Sequence, residues 1–454
     1  MSCYYIAWFS CEVIFVRRFA VTIPILLAVA FLLLAAGCTQ QVAQPQGELK
    51  IGIVASMTGP ASTTGKDIWQ SATLAAEEIN AKGGVYVKDH NGKVLIKLVQ
   101  GDDESTREGG QKAVSKLITQ DNVDVLVGGF SSAVVTAHQQ IVADNKVPYI
   151  ITGASSPLIT RTASVDTSYM FHHAPTTDDS GSQTTLFIDS VIRPALNAKF
   201  NFAESRPLRL AILYQDSPYG KGHQSAINQT IVQNNLKITI VSQETFKMGE
   251  TDYRTTLTSI KNSEPDVVYV AAFLNEQIPI ETQARRDVGL NKIFIAIEPN
   301  DDPDFYRGVG QYGDSSIIQS RFSPYTVPKG PTEGAFLQFV GSFDKKFGGF
   351  PGMMGVATYE GVYIAASGVE KAGTLEKIKV RDAIAALQMP QMVEAMNGQT
   401  ISFSSDFRES KFELNWEQLH YNETLKEPRP QIVWPENQKE AVFTLPDWYV
   451  PGKA

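Results

Sequence analysis

The chain has 454 residues, of which 43% are hydrophobic and 19% are charged. This length and composition are typical of a globular protein with more than one domain. The formal net charge is −8 and the basic residues are scattered singly, which argues against nucleic acid as a partner.

Residues 1–38 have the layout of a secretory signal. Arg17 and Arg18 precede the apolar run VTIPILLAVAFLLLAAGC, which ends in small residues at Cys38. Once exported, the chain keeps Cys38 as a lone cysteine, with no partner for an internal disulfide. The segment LLLAAGC resembles a bacterial lipobox, which predicts lipidation of Cys38. The alternative is an uncleaved anchor, because residues 19–37 can span a bilayer at ~1.5 Å per residue.

Segments with strand-like and helix-like spacing alternate after a polar tether at residues 39–48. The first series comprises strands at 49–56, 94–103, 123–127 and 147–152 and helices at 66–81, 107–119 and 132–145. After the turn-rich stretch HHAPTTDDSG, the second series comprises helices at 182–197, 222–234, 253–261 and 276–288 and strands at 208–216, 236–242, 266–273 and 292–298. This alternation predicts βαβ units and two mainly parallel, Rossmann-like sheets.

The last third of the chain has a different pattern. Helices are predicted at 332–347, 357–371 and 376–388, followed by the strand candidates ISFSSDF and KFELNWEQLHY, which should join the sheets already begun. The proline-rich tail from 428 to 454 is expected to pack in extended form across a surface.

Two loops at the carboxyl ends of predicted strands contain hydroxyl side chains, and ligands of open parallel sheets bind at such ends. In GGFSSA, two glycines allow a sharp turn, and Ser131 or Ser132 is expected to cap the following helix. In GASSP, Ser155 and Ser156 add two more hydroxyls. The two loops together predict a carboxylate site, whereas ordinary helix capping could explain either loop alone.

Glu298 ends an apolar strand and is followed by Pro299 and three polar residues. A carboxylate at this end of a strand could pair with a ligand ammonium group in a water-poor cleft. The alternative interpretation is a solvated loop acid.

Signatures of catalysis or metal binding are weak. GVGQYG at 308–313 matches the dinucleotide pattern, but it lacks the preceding strand and the following helix, so a turn is predicted. The histidines lack the spacing of a metal site, and His172 and His173 are expected on a crossing segment between lobes. Ser132 and His138 would lie nearly two turns apart on one helix, too far for proton transfer. We therefore expect a binding protein that is not an enzyme and has no metal or cofactor.

Several segments resemble the leucine/isoleucine/valine-binding type of solute receptor for ABC importers. The likeness is carried by IGIVASMTGPASTTGKDIWQSATLAAEEINAKGGV, GDDESTREGGQKAVSKLI, GGFSSAVVTAHQQIVADNKVPYIITGASSPLIT, YQDSPYGKG and ETQARRDVGLNKIF. It implies the α/β fold of type I periplasmic binding proteins, in which two Rossmann-like lobes with parallel sheets are joined by a three-crossing hinge. It places lobe 1 at 49–172 and 322–412 and lobe 2 at 173–321 and 413–454.

The resemblance also implies roles for single residues. Ser132 matches the serine that binds the ligand carboxylate, Gly153 the residue whose backbone binds the ammonium, and Glu298 the acid that pairs with the ammonium. The other positions implied to line the ligand are Ser131, Ala154, Ser155, Tyr219, Phe273 and Thr64. Thr64 replaces a tyrosine of the family and Phe273-Leu274 an aromatic pair, so leucine-like specificity does not follow.

The expected function is that of an exported, membrane-tethered receptor that captures an amino acid and delivers it to an ABC transporter permease. Three alternatives remain. The ligand could be an amine-free carboxylate or amide, with Glu298 facing water. The chain could be a signalling ectodomain, although no apolar span follows residue 38. A hydrolase that uses Ser132 would need a base that the sequence does not offer.

Overall fold

The computed structural model describes residues 47–453. The predicted signal, the lipidation site at Cys38 and most of the tether therefore lie outside the described residues. Within residues 47–453, no helix has both the length and the apolar character that crossing a bilayer requires.

The first lobe is built on a six-stranded sheet in which all neighbours are parallel except β2 and β3. Its strands are β1 (Glu48–Ala55), β2 (Val85–Val87), β3 (Gly92–Asp102), β4 (Val125–Gly128), β5 (Tyr149–Ile151) and β6 (Met170–His172), in the spatial order β2-β3-β1-β4-β5-β6. The central strands are buried along almost their whole length because helices cover both faces. Since β1, β4 and β5 are parallel, the loops that follow them meet at one edge of the sheet.

Four helices follow strands of this sheet: α1 (Ser62–Ala81), α2 (Arg107–Thr119), α3 (Ser132–Asn145) and α4 (Leu158–Arg161). The first turn of α1 packs closely on the loop after β1, because a Cβ atom at Gly65 would lie 1.9 Å from the Ser56 carbonyl oxygen. Only glycine fits there without moving the backbone.

The second lobe is built on a seven-stranded sheet with the order β15-β14-β11-β10-β9-β7-β8. Its strands are β7 (Leu208–Gln215), β8 (Ile238–Phe246), β9 (Val267–Ala271), β10 (Ile293–Ile297), β11 (Ile317–Ser320), β14 (Asn415–Asn422) and β15 (Glu427–Trp434). The last two strands pair antiparallel at one edge, and the others are parallel. Its helices are α5 (Thr177–Phe187), α6 (Arg193–Phe200), α7 (Pro218–Gln233), α8 (Arg254–Asn262), α9 (Leu274–Gln283) and α10 (Pro303–Val309).

The chain returns to the first lobe after β11. This part contains α11 (Glu333–Phe347), α12 (Met353–Ala372), α13 (Lys377–Ala385) and the short strands β12 (Met389–Pro390) and β13 (Thr400–Ile401). Helix α12 packs on α1, where the backbone N–H of Gly355 donates to Asp67 Oδ2 at 2.6 Å. The chain crosses between the lobes after β6, after β11 and before β14. The first and third crossings begin side by side, since the His172 N–H donates to the Arg408 carbonyl oxygen and the Ser410 N–H donates to the His172 carbonyl oxygen, at 2.9 Å each.

The structure confirms the predicted α/β fold with two mainly parallel sheets, and it corrects several elements. ISFSSDF is not a strand beyond residue 401, because residues 405–407 form a turn. The helix predicted at 182–197 begins at Thr177 and is interrupted by a wider turn at Ile188–Ile192. The first part of the proline-rich tail is extended, as predicted, and it joins a sheet edge as β15, where prolines are tolerated. GVGQYG ends a helix and forms one 3₁₀ turn, as its context predicted.

Candidate functional site

The amino end of α3 differs from the predicted helix cap. Ser131 occupies the N-cap position, and its carbonyl oxygen accepts the N–H groups of Val134 and Val135, at 3.0 and 2.9 Å. Its side chain makes no capping hydrogen bond, and Ser131 Oγ is buried with no hydrogen-bond partner in the described part of the chain. The prediction that a serine hydroxyl caps this helix is therefore wrong, and the hydroxyl is left for another partner.

Ser132 instead ties together the two loops that the sequence singled out. Its Oγ accepts hydrogen bonds from the backbone N–H groups of Ser155 and Ser156, both at 3.1 Å. These bonds occupy the acceptor capacity of the hydroxyl, so its O–H remains available as a donor. Ser155 Oγ, like Ser131 Oγ, is buried without a hydrogen-bond partner. Three buried hydroxyls beside a helix amino end can donate to a carboxylate.

The remaining first-lobe positions differ in what they can offer a ligand. A Cβ atom at Gly153 would lie 3.1 Å from Met354 Sδ and 3.2 Å from Phe130, so a side chain would not fit without displacing one of them. The backbone groups of Ala154 are already used, by the carbonyl of Gly129 at 2.9 Å and by His172 Nε2 at 2.6 Å. Thr64 lies buried in the first turn of α1, at the same edge of the sheet as these loops.

Aromatic side chains from both lobes meet between them. The ring centroids of Phe130 in the first lobe and Phe273 in the second are 4.4 Å apart, and those of Tyr219 and Phe273 are 5.1 Å apart. Tyr219 is buried, and its hydroxyl has no hydrogen-bond partner. The structure thus brings Phe273 into contact with the loop that contains Ser131 and Ser132, and Tyr219 packs against Phe273.

Glu298 is not a solvated loop acid, since only 5% of it is exposed. Burial raises its pKa to about 7, although the Arg321 guanidinium beside it acts in the opposite direction. Arg321 Nη1 lies 3.5 Å from Glu298 Oε2, and each of these atoms lacks a hydrogen-bond partner of good geometry. Both groups therefore keep unused capacity, one as an acceptor and one as a donor.

Sequence reasoning missed Arg321. The residue directly follows β11, and its Nη2 donates to the Thr152 carbonyl oxygen at 3.4 Å. Arg321 thus contacts both the residue before Gly153 and Glu298, so the serine loops and the acid border one region between the lobes. A single basic residue at the carboxyl end of a short strand was the available signal.

The chemistry of this region suits binding of a small molecule with separated charges. The first lobe offers hydroxyl donors, and the second offers a buried carboxyl and a phenol. In the described part of the chain, the hydrogen-bond partners of Ser132 Oγ are two backbone N–H groups. Neither ring nitrogen of His138, on the same helix, makes a hydrogen bond to any described residue. The geometry therefore does not activate this serine as a nucleophile.

Comparison with known proteins finds a consistent set of relatives. A family model described as periplasmic binding protein matches residues 48–409. An amino acid binding protein of Pseudomonas aeruginosa is 26% identical over 285 residues, which cover 62% of this chain and 70% of the relative. The Leu/Ile/Val-binding protein BraC3 of Rhizobium johnstonii is 24% identical over 371 residues, which cover 82% of this chain and 92% of the relative.

Solved structures share the fold at lower identity. The branched-chain amino acid transporter substrate binding protein LivJ of Streptococcus pneumoniae, in complex with isoleucine, has a TM-score of 0.69 and 22% identity, and the match covers 86% of this chain and 100% of LivJ. An ABC transporter solute binding protein of R. palustris, in complex with benzoate, has a TM-score of 0.69 and 18% identity, covering 87% and 99%. One fold thus serves ligands with and without an amino group.

Proposed function

Because this chain belongs to the periplasmic binding protein family, we propose that it is the solute receptor of an ABC importer and captures an amino acid of the branched-chain type between its lobes. Membership of this family implies an exported protein. The proposed ligand class is supported by the names of the relatives from Pseudomonas aeruginosa and Rhizobium johnstonii and by the isoleucine complex of LivJ. No reaction is part of the proposal.

The observation that carries the proposal is the arrangement of hydroxyls around Ser132. Two backbone N–H groups fix the position of Ser132 Oγ, and its O–H is left to donate outward. Ser131 and Ser155 add buried hydroxyls that have no hydrogen-bond partner among residues 47–453. Such groups are costly to leave unpaired, and a ligand carboxylate satisfies all three as an acceptor.

The second lobe completes the proposed site. Glu298 Oε2 accepts a hydrogen bond from the ligand ammonium group, while Tyr219 and Phe273 cover the apolar part of the ligand. The closed state of the lobes is stabilised because the ligand contacts both lobes only when they come together. Closure then presents a new surface to the membrane permease.

A ligand without an amino group is the second candidate, and Arg321 is the observation in its favour. Its Nη1 is a buried donor without a partner, 3.5 Å from Glu298 Oε2, so Glu298 already faces a cation. An aromatic or aliphatic carboxylate would then bind the serines and pack on Phe130 and Phe273, with its carboxylate as the only charge.

Calorimetric titration separates the two candidates. The exported protein is titrated with L-isoleucine, with its deaminated 2-oxo acid and with benzoate. We expect tight binding of the amino acid, and loss of its amino group should weaken binding by roughly 1–3 kcal/mol, because Glu298 loses its partner. Equal or tighter binding of the deaminated acid would contradict the amino-acid assignment.

Two glutamine variants make the test specific. Glu298→Gln should lower the affinity for the amino acid by about ten-fold or more, which corresponds to at least ~1.4 kcal/mol. Glu281→Gln is the matched control, because Glu281 is also fully buried in the second lobe but bonds to Ser316 and Gln277 within its own lobe. The control should keep the wild-type affinity.

The attachment to the membrane is proposed from the sequence. We infer that Cys38, outside the described residues, carries a lipid after cleavage of the signal. The variant Cys38→Ser should then move the protein from the membrane fraction to the soluble fraction. Retention of this variant in the membrane would favour the uncleaved anchor.

A further inference from the structure

We propose that His173, Glu360 and Glu394 form a binding site for one divalent transition-metal ion, with zinc as the ion that best suits the ligands. The site lies where the chain crosses between the lobes, and it is independent of the proposed ligand. The sequence had indicated no metal, because its histidines lack the spacing of a local metal motif.

Three potential ligand atoms meet at this point. His173 Nε2 lies 3.1 Å from Glu360 Oε2 and 3.2 Å from Glu394 Oε2, and the three atoms lie within 4.8 Å of one another. Neighbouring ligands of a tetrahedral zinc ion lie about 3.3–3.6 Å apart when the bonds are ~2.0–2.2 Å long. Only small adjustments are needed to seat an ion, and all three side chains are 0% exposed.

The two carboxylates are already oriented by their second oxygens. Glu360 Oε1 accepts the backbone N–H groups of Val393 and Glu394, at 2.7 and 2.8 Å. Glu394 Oε1 accepts a hydrogen bond from Arg321 Nε at 2.6 Å. Each carboxylate therefore holds one oxygen away from the cluster and directs the other toward His173 Nε2. Outer contacts of this kind fix metal ligands in known sites.

The histidine is oriented in the same manner. Ser410 Oγ donates to the Ser402 carbonyl oxygen at 3.0 Å, so it can only accept from His173 Nδ1, which lies 3.2 Å away. In the neutral ring this arrangement places the proton on Nδ1 and leaves the Nε2 lone pair facing the two carboxylates. A histidine held in this tautomer is ready to bind a metal through Nε2.

The charge of the buried cluster also favours a divalent ion. The buried cluster contains three carboxylates and one guanidinium: Arg321 lies beside Glu298 and Glu394, and His173 lies beside Glu360 and Glu394. With all three carboxylates ionised, the cluster has an excess of two negative charges, which one divalent cation would balance and a proton on His173 would balance by half. Uncompensated buried charge is costly, so the ion would stabilise the folded state. The alternative to a metal ion at this site is a proton on His173 Nε2, with the Nε2–H shared between Glu360 and Glu394.

The ion would join three segments that are distant in sequence. His173 follows β6 on the first crossing, Glu360 lies within α12, and Glu394 precedes β13. Through Arg321, the site is connected to Glu298 in the second lobe. The ion would therefore restrain the segments that connect the two lobes.

The test measures metal content and needs no solute. The whole exported chain is purified without metal-affinity chromatography, unfolded, refolded with or without Zn²⁺, and desalted with a mild chelator. We expect inductively coupled plasma mass spectrometry to find about one zinc ion per chain in the zinc-refolded protein. This sample should also melt at a higher temperature than protein refolded without zinc. Glu360→Gln keeps the shape of the side chain and should lower the bound zinc by about ten-fold or more.

A buried histidine elsewhere provides the control. His223 is 1% exposed and bonds to the Tyr269 hydroxyl at 2.8 Å, so His223→Gln should keep the wild-type zinc content. Wild-type protein that holds no more zinc than Glu360→Gln, with no change in melting temperature, would show a protonated His173 instead and overturn the proposal. Equal zinc in wild type, Glu360→Gln and His173→Gln would assign the ion to another place and also overturn it.

Discussion

Replacing Asp302 by asparagine should stabilise the folded protein at alkaline pH and have little effect in mild acid. Asp302 caps α10 and lies close to Asp67 of α1, so the two lobes bring two buried carboxyls together. Burial raises the pKa of Asp302 to about 7; the hydrogen bond from the Asp304 backbone N–H lowers it, the Asp304 carboxylate raises it, and Arg307 lowers it. The pKa of Asp67 is also raised, first by burial and then by Asp302.

The sign follows from the proton balance. Because the folded protein holds protons on these carboxyls more tightly than the unfolded chain, its stability is greatest below the unfolded pKa of ~3.9 and falls as the pH rises toward 7. Asparagine does not titrate, so this loss disappears in the variant. Its Oδ1 can still accept the Asp304 N–H, which Asp302 Oδ1 accepts at 2.7 Å, so the cap is preserved.

The magnitude follows from the separation of the two acids. A Cβ atom at Gly352 would lie 2.1 Å from Asp302 Oδ2 and 3.1 Å from Asp67 Oδ2. The two oxygens are therefore within about 5 Å of each other, where two unit charges repel by about 3 kcal/mol at an effective dielectric constant of ~20. We expect Asp302→Asn to raise the free energy of unfolding by about 2–4 kcal/mol at pH 8 and by less than about 1 kcal/mol at pH 4.

Urea unfolding followed by circular dichroism at both pH values measures this difference. Asp216→Asn is the control, because Asp216 is half exposed in the second lobe, pairs with Lys221 and is not among the charged groups that act on Asp302. The control should change stability by less than about 0.5 kcal/mol at either pH. A gain for Asp302→Asn that is the same at pH 4 and pH 8, or a loss at pH 8, would refute the reasoning.

Three further predictions test other parts of the account by urea unfolding. Ser132→Ala removes the acceptor of two buried N–H groups and should cost about 1–3 kcal/mol, whereas Ser131→Ala should stay within about 0.5 kcal/mol; equal losses would contradict the assigned contacts. Asp266→Ala leaves the Arg206 guanidinium, now bonded at 2.9 and 3.1 Å, without its buried partner and should cost about 3–5 kcal/mol; a loss below about 1 kcal/mol would argue against this pair. Gly65→Ala places a methyl group 1.9 Å from a backbone oxygen and should cost about 1–3 kcal/mol; an unchanged midpoint would argue against this close packing.

The architecture could be predicted because it depends on local periodicity. Apolar strands such as Val125–Gly128 and Ile293–Ile297 are buried on both faces, and the helices between them keep their own spacing. The strand prediction for ISFSSDF was wrong because its alternation of apolar and polar residues does not reflect pairing in a sheet. Phe403 packs on Phe171 of the edge strand β6, at 5.2 Å between ring centroids, so it anchors a loop to the first-lobe sheet without itself pairing as a strand.

The candidate site could be predicted only in part, for a related reason. Glycines and serines at the end of a strand are a local signal, and they indicated the loop of Ser132. The position of Arg321 beside Glu298 depends on strand order, which no local pattern contains. His173, Glu360 and Glu394 come together from segments far apart in the chain, so a search for short spacings could not find them.

A crystal structure of the protein with its bound solute tests the central proposal most directly. The account predicts the ligand carboxylate within hydrogen-bond distance of Ser132 Oγ and the ligand ammonium on Glu298 Oε2, with the rings of Phe130 and Phe273 beside the apolar part. A solute whose carboxylate lies on Arg321, with Ser132 Oγ out of reach, would contradict it.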